Sequence, residues 1–187
     1  MDTELDSEAQ YKMGMSLVSG NTMSKDLPKS VILFREAAHS GHPAAQYELG
    51  VSYCSGRGIA RNKEKALQWF ISSAEKGYPK ALHNLGVRHS IGKGVPKDEV
   101  AAGSFFLKAA EQGHALSQFK LAIMFKLGYG VLRDELEADK WFKQAGDIGK
   151  GEVQCELSAI IEKNNDRAEW FWQAIGHGYT GHEFDVN

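Results

Sequence analysis

The sequence predicts an all-α fold: a stack of helical hairpins, about five units of 36 residues, occupying the 187-residue chain as a single repeat domain. Three observations carry this. Gly14, Gly50, Gly86, Ala122 and Ser158 follow one another at a constant step of 36. Apolar and small residues recur at helical spacing inside each unit, as Ala45, Leu49 and Tyr53 and again as Ala66, Trp69, Phe70, Ser73 and Ala74. Between the two stripes lies a glycine pair, Gly56-Arg57-Gly58, which returns as Gly92-Lys93-Gly94 and Gly128-Tyr129-Gly130.

The first helix of each unit is marked by Ala9, Ala45, Ala81, Ser117 and Val153, followed four residues on by Met13, Leu49, Leu85, Leu121 and Leu157. Small residues beside the leucines let two helix axes approach to about 8–10 Å. The glycine pair then ends the helix, because a residue just past the last turn takes a left-handed conformation that costs other residues about 1–2 kcal/mol. Ile59, Val95 and Val131 come next and can tuck beneath the turn. A glycine-spaced loop followed by lysines, as in Gly56 to Lys65, also raises the question of a phosphate cradle. Such a cradle is a single loop after a strand that ends in Gly-Lys-Ser/Thr. Three copies between helices, none with that ending, favour a turn.

The second helix opens at Asn62, Asp98 and Asp134, side chains that cap a helix start for about 1 kcal/mol each. Two adjacent phases then read as core: Leu33, Trp69, Phe105 and Trp141, and Phe34, Phe70, Phe106 and Phe142. Gly41, Gly77, Gly113 and Gly149 close the units. The boundaries fall at about 7–43, 44–79, 80–114, 115–150 and 151–187. The first unit has Gly20-Asn21-Thr22 in place of the double glycine and Ser30 in place of alanine. In the fifth, Trp170-Phe171 and Gly178 arrive seven positions early, which places a deletion near Lys163 to Asp166. Terminal repeats have one face without a neighbour, so both are expected to be atypical caps.

Charge narrows the function. Lys and Arg number 22 against 24 Asp and Glu, a net charge of −2, with no basic excess to neutralise phosphates. No apolar run approaches the roughly 20 residues of a spanning helix. The opening Met1 to Glu8 is acidic and lacks the regions of a secretory signal. The expected location is therefore cytoplasmic, or periplasmic or secreted if a leader has been removed. Cys54 and Cys155 share no motif and read as reduced, packed thiols. His42 and His114 occupy one repeat phase with Tyr78 between them, a pattern that a polar or aromatic plug at a turn explains without a metal. Cys54 and His89 fall near each other in neighbouring units, but nothing supplies a third catalytic member or an oxyanion hole. Glu135 and Asp139 read as a solvated face.

The motif Ala45...Leu49-Gly50...Tyr53...Gly56-Arg57-Gly58-Ile59...Asn62...Ala66...Trp69...Ala74...Gly77 resembles the Sel-1-like repeat, a relative of the tetratricopeptide repeat. The third copy follows it from Ala81 through Leu85-Gly86, Gly92-Lys93-Gly94-Val95, Asp98, Ala102 and Ala109-Ala110 to Gly113. The likeness spans about Ser7 to Tyr179; His89 and Phe125 stand where the family prefers tyrosine. The resemblance implies a right-handed α/α solenoid, a superhelix, that acts as an adaptor for other proteins. The cysteine pair that some secreted members carry in every repeat is not found here.

Residues opposite the packing stripe of the first helices differ from unit to unit: Glu48 and Ser52; Asn84, Arg88 and Ile91; Lys120, Met124 and Leu127; Glu156 and Ile160. Lys12, Ser16 and Ser19 hold these phases in the first unit. The family's geometry places such residues on the concave groove, so they are the expected partner-binding set. Ile91, Met124, Leu127 and Ile160 form either a docking strip or a seam buried between repeats. The expected function is a non-enzymatic scaffold that holds a protein or peptide. No cofactor, small-molecule substrate, nucleic acid or membrane insertion is expected. Alternatives are an inhibitor or immunity-type protein that blocks a toxic partner, a self-assembling structural piece, and a cysteine- or histidine-dependent hydrolase.

Overall fold

The computed structural model describes residues 6–20 and 24–148. These residues form eight α-helices and no strand. They are α1 (Ser7–Ser19), α2 (Leu27–His39), α3 (Pro43–Ser55), α4 (Lys63–Glu75), α5 (Pro79–Ile91), α6 (Glu99–Ala110), α7 (Ala115–Leu127) and α8 (Glu135–Ile148). First helices begin at 7, 43, 79 and 115, and second helices at 27, 63, 99 and 135. The step kept by the glycines is thus the step kept by the helices. The fifth repeat, with Glu156, Ile160, Cys155 and the Trp170-Phe171 pair, lies outside the described residues.

The chain divides into two compact units, residues 1–97 and 98–187. In the first, α1 packs on α2, α2 on α3, α3 on α4 and α4 on α5. In the second, α6 packs on α7 and α7 on α8. Each helix therefore meets chiefly its sequence neighbours, as expected of a repeat whose hairpins cannot cover their apolar faces alone.

Local chemistry sets the helix ends. Asp26, Asn62 and Asp98 accept hydrogen bonds from the backbone N–H groups of Lys29, Lys65 and Ala101, at 3.0, 2.8 and 2.9 Å. Asp134 caps α8 in the same way through Leu136 and Glu137. At the other end of the hairpin, Gly56 is left-handed at φ 75° and returns its N–H to the Ser52 carbonyl. The second glycine of the pair has a different reason. Gly58 also has positive φ, and a side chain there would run into the backbone carbonyl of Leu27, the first residue of α2. Gly130 stands in the same relation to Glu99, the first residue of α6. The loop of one hairpin thus rests on the start of the previous second helix, and only glycine leaves room.

Phe34 and Phe70 are buried in the first unit, and Phe106 and Phe142 in the second. Each such side chain contributes about 1.5–3 kcal/mol by leaving water. The rings of Phe34 and Phe70 lie against Gly14 and Gly50, where an added Cβ would come within 2.6 and 2.8 Å. The adjacent phase differs from expectation: Trp69, Phe105 and Trp141 are only half-buried. One residue turns the helix by about 100°, so this phase sits at the core's edge: Leu33 is small enough to be covered, while Trp69 and Trp141 pack against the core with part of the ring outside it.

Candidate partner-binding face on the first helices

In the first unit the face is assembled around His42, which precedes α3. Its Nδ1 accepts the backbone N–H of Ala45 at 3.2 Å, capping the helix. An accepting Nδ1 puts the ring proton on Nε2, which donates to Glu8 Oε2 at 2.8 Å. The imidazole stacks on Tyr11 with 4.8 Å between ring centres. Lys12 Nζ reaches Glu8 Oε1 at 3.0 Å. The bond from His42, then that from Lys12, hold the Glu8 carboxyl below its usual range. His114 repeats the cap on α7, accepting from Ser117 N–H at 3.2 Å. At both histidines the phase read as a turn plug is therefore a capping position. Among the described residues no three histidine, cysteine or carboxylate side chains gather where they could hold a metal ion.

Tyr78 fills that phase ahead of α5 and makes no side-chain cap. Its ring packs on Tyr47 at 5.6 Å, and its hydroxyl comes within reach of that of Tyr11. Tyr47 in turn lies 5.6 Å from the core ring of Phe70. Burial raises the hydroxyl pKa of all three tyrosines, and that of Tyr78 is pushed up to about 12. Next to Tyr47 on α3 stands Glu48, half-buried, with neither a hydrogen bond nor an ion pair to its carboxylate among the described residues. Burial pushes its carboxyl up, and the more distant Lys80 and Arg57 pull it down.

The structure separates the expected binding residues by phase. Ser52, Arg88 and Met124 share one phase and are buried, at 4, 9 and 8% exposure. Ser52 and Arg88 are thereby corrected from the open surface expected of them, and Met124, whose strip the sequence left between docking and burial, is buried; Arg88 and Met124 reach the second helix of the preceding hairpin, at Phe70 and Gly103. Ser52 Oγ donates to the Glu48 carbonyl at 2.9 Å. Arg88 is an internal brace. Its Nε donates to Asn84 Oδ1 at 2.7 Å, its Nη1 donates to the Lys93 carbonyl at 3.2 Å, and its guanidinium lies 5.1 Å from the Phe70 ring centre. Met124 packs on Gly103 of α6. Glu48, Asn84, Lys120 and Leu127 remain partly open, and Ile91 is 61% exposed. Glu156 and Ile160 lie outside the described residues.

Tyr11, Tyr47, Tyr78 and His42 were missed as members of this face. Tyr11 and Tyr47 stand one residue before Lys12 and Glu48, at a constant step of 36, and that aromatic phase was the available signal. A concavity of about 410 Å³ is lined by Arg35, His39, Tyr53, Lys65 and the half-buried Trp69, together with Leu49, Gln68 and Ser72. His39 meets Trp69 edge-on at 5.4 Å, and Lys65 lies 5.7 Å from the Tyr53 ring centre. Cys54 is a free, half-buried thiol. Glu135 is exposed and paired with Arg133 at 2.6 Å, in keeping with a solvated face.

Residues 7–42, 43–78, 79–114 and 115–150 match the Sel1 repeat. No curated protein matches the sequence. Among solved structures, a protective antigen present in uropathogenic Escherichia coli strains, displaying an SLR fold, is 31% identical with a TM-score of 0.72. That match covers 91% of this chain and 38% of the antigen, so the chain spans well under half of that relative's length. A Sel1 repeat protein from Oxalobacter formigenes is 24% identical with a TM-score of 0.74, covering 91% of this chain and 72% of that one. Helicobacter pylori cysteine rich protein B is 27% identical with a TM-score of 0.54, covering 74% and 98%.

Proposed function

The chain belongs to the Sel1 repeat family of all-α helical-repeat solenoids, whose members generally mediate protein–protein interactions, and from that premise we propose that it binds a protein or peptide partner on the faces of its first helices. One observation carries the assignment to this face. Lys12, Glu48, Asn84 and Lys120 occupy a single phase at steps of 36, yet differ in charge. Packing has made the next phase uniform, as Leu49, Leu85 and Leu121, while Ser52, Arg88 and Met124 four residues on vary in type but are buried and closed to a ligand. A phase released from packing and still partly open is the one a ligand can address. Sel1-repeat proteins are typically non-catalytic scaffolds, and a binding role without catalysis is our reading of this chain as well.

The test is site-specific photo-crosslinking in the source cell. A photoreactive residue in place of Lys12 or Asn84 is expected to trap one protein at discrete mass. The same residue in place of Glu75, exposed on α4, is expected to trap none. Equal trapping from α4, or none from either first-helix position, would refute the assignment.

A further inference from the structure

We propose that the cradle formed by Tyr11, Tyr47, Tyr78 and Glu48 receives a lysine or arginine side chain of the protein partner. The inference rests on the reading of the first-helix face as the binding surface and adds the chemistry of what docks there. A half-buried carboxylate loses hydration, and proteins normally restore the loss with a hydrogen bond or a counter-ion. Glu48 has neither. The chain's own cations are disposed elsewhere: Lys12 is engaged by Glu8 at 3.0 Å, and the exposed Arg57 and Lys80 act on Glu48 only from beyond ion-pair distance. Burial has already moved the Glu48 carboxyl upward, the sign of a charge that lacks a partner.

Three tyrosines complete the arrangement. Their ring faces carry negative potential and attract a cation within about 6 Å of the ring centre. Tyr47 and Tyr78 stand 5.6 Å apart, Tyr78 lies close to the Tyr11 hydroxyl, and Glu48 is near enough to all three for its charge to raise their hydroxyl pKa. An apolar side chain seated there would remove the remaining water from Glu48 and give nothing in return. An acidic one would face both Glu48 and Glu8. A basic side chain satisfies the carboxylate and the rings together.

The probes are tetra-arginine, tetralysine and tetraglutamate peptides, titrated into the full chain and followed by tyrosine fluorescence and backbone amide NMR shifts. Either basic peptide is expected to saturate and to shift amides in α1, α3 and the start of α5, while tetraglutamate is not. Glu48→Gln is expected to weaken that binding at least about tenfold with helicity intact by circular dichroism. Tyr47→Leu is expected to weaken it severalfold, and Glu75→Gln on α4 to leave it unchanged. Absence of saturable binding by the basic peptides, or binding that survives Glu48→Gln, would overturn the proposal. If crosslinking at Asn84 traps a protein while the basic peptides do not bind, the cradle fails and the face stands. If the peptides bind and crosslinking traps nothing, the cradle remains a cation site and the partner reading fails.

Discussion

At the scale of single residues, the packing of this protein is decided by where a side chain is missing. Gly50 lets the Phe70 ring rest on the α3 backbone, and a Cβ would stand 2.8 Å from the ring and 3.2 Å from the Ala66 carbonyl oxygen. The ring is enclosed and has no free direction to yield. Gly50→Ala is therefore expected to cost about 1–3 kcal/mol, read as a lower denaturation midpoint with the slope unchanged. The fourth repeat holds Ala122 at this phase, fully buried, so a hairpin built for the methyl accepts it. Substitution in a hairpin built around glycine must first move the ring. A similar distinction governs Gln46 and Gln118. Each donates from Nε2 to the last turn of the preceding helix, at the Ala38 and Ala110 carbonyls, both at 3.1 Å. Leu82 holds the phase between them, buried and without a side-chain donor.

Between elements, the joint of α1 with the start of α3 is electrostatic and sensitive to acid. Glu8 on α1 accepts from His42, whose other nitrogen caps α3, and is also bound by Lys12. Its carboxyl titrates below the ordinary value of 4.5 in the folded chain, so folding is favoured by its ionised form. That contribution is complete above the ordinary value and is lost as pH falls through the lower folded value. Tm measured from pH 6 down to pH 3 is expected to drop less steeply in Glu8→Gln than in the parent chain. Equal slopes would show that the joint adds nothing. Tyr78 acts in the opposite sense at the alkaline end. Its folded pKa lies near 12 against an ordinary 10.0, so the folded state holds its proton longer and stability declines as pH rises across that interval.

For the whole molecule, the important property is that contacts are local in sequence. Within the first unit and within the second, each helix meets chiefly the ones before and after it. Stability in such a chain is a sum of hairpin terms and neighbour terms, so damage stays near its source. Phe142→Ala removes a fully buried ring that lies 5.8 Å from Phe119, a loss of about 3–5 kcal/mol at that hairpin. Amide hydrogen exchange is expected to accelerate in α7 and α8 while protection in α1 to α3 is retained. Uniform acceleration along the chain would show a single cooperative unit instead.

The sequence by itself determined the repeat length, the class of both helices, the caps at Asn62, Asp98 and Asp134, and the glycine turn after each first helix. These follow from short-range rules, since periodicity, capping and positive φ depend on residues within one or two turns of each other. Tertiary structure alone decided which of two adjacent aromatic phases is fully covered, and that Ser52, Arg88 and Met124 are buried, Arg88 and Met124 against the preceding second helix. It alone brought Tyr11, Tyr47 and Tyr78 near Glu48, a carboxylate with no counter-ion among the described residues. Those outcomes depend on where the next hairpin's backbone lies, and a helical phase records only the direction a side chain points, not what it meets.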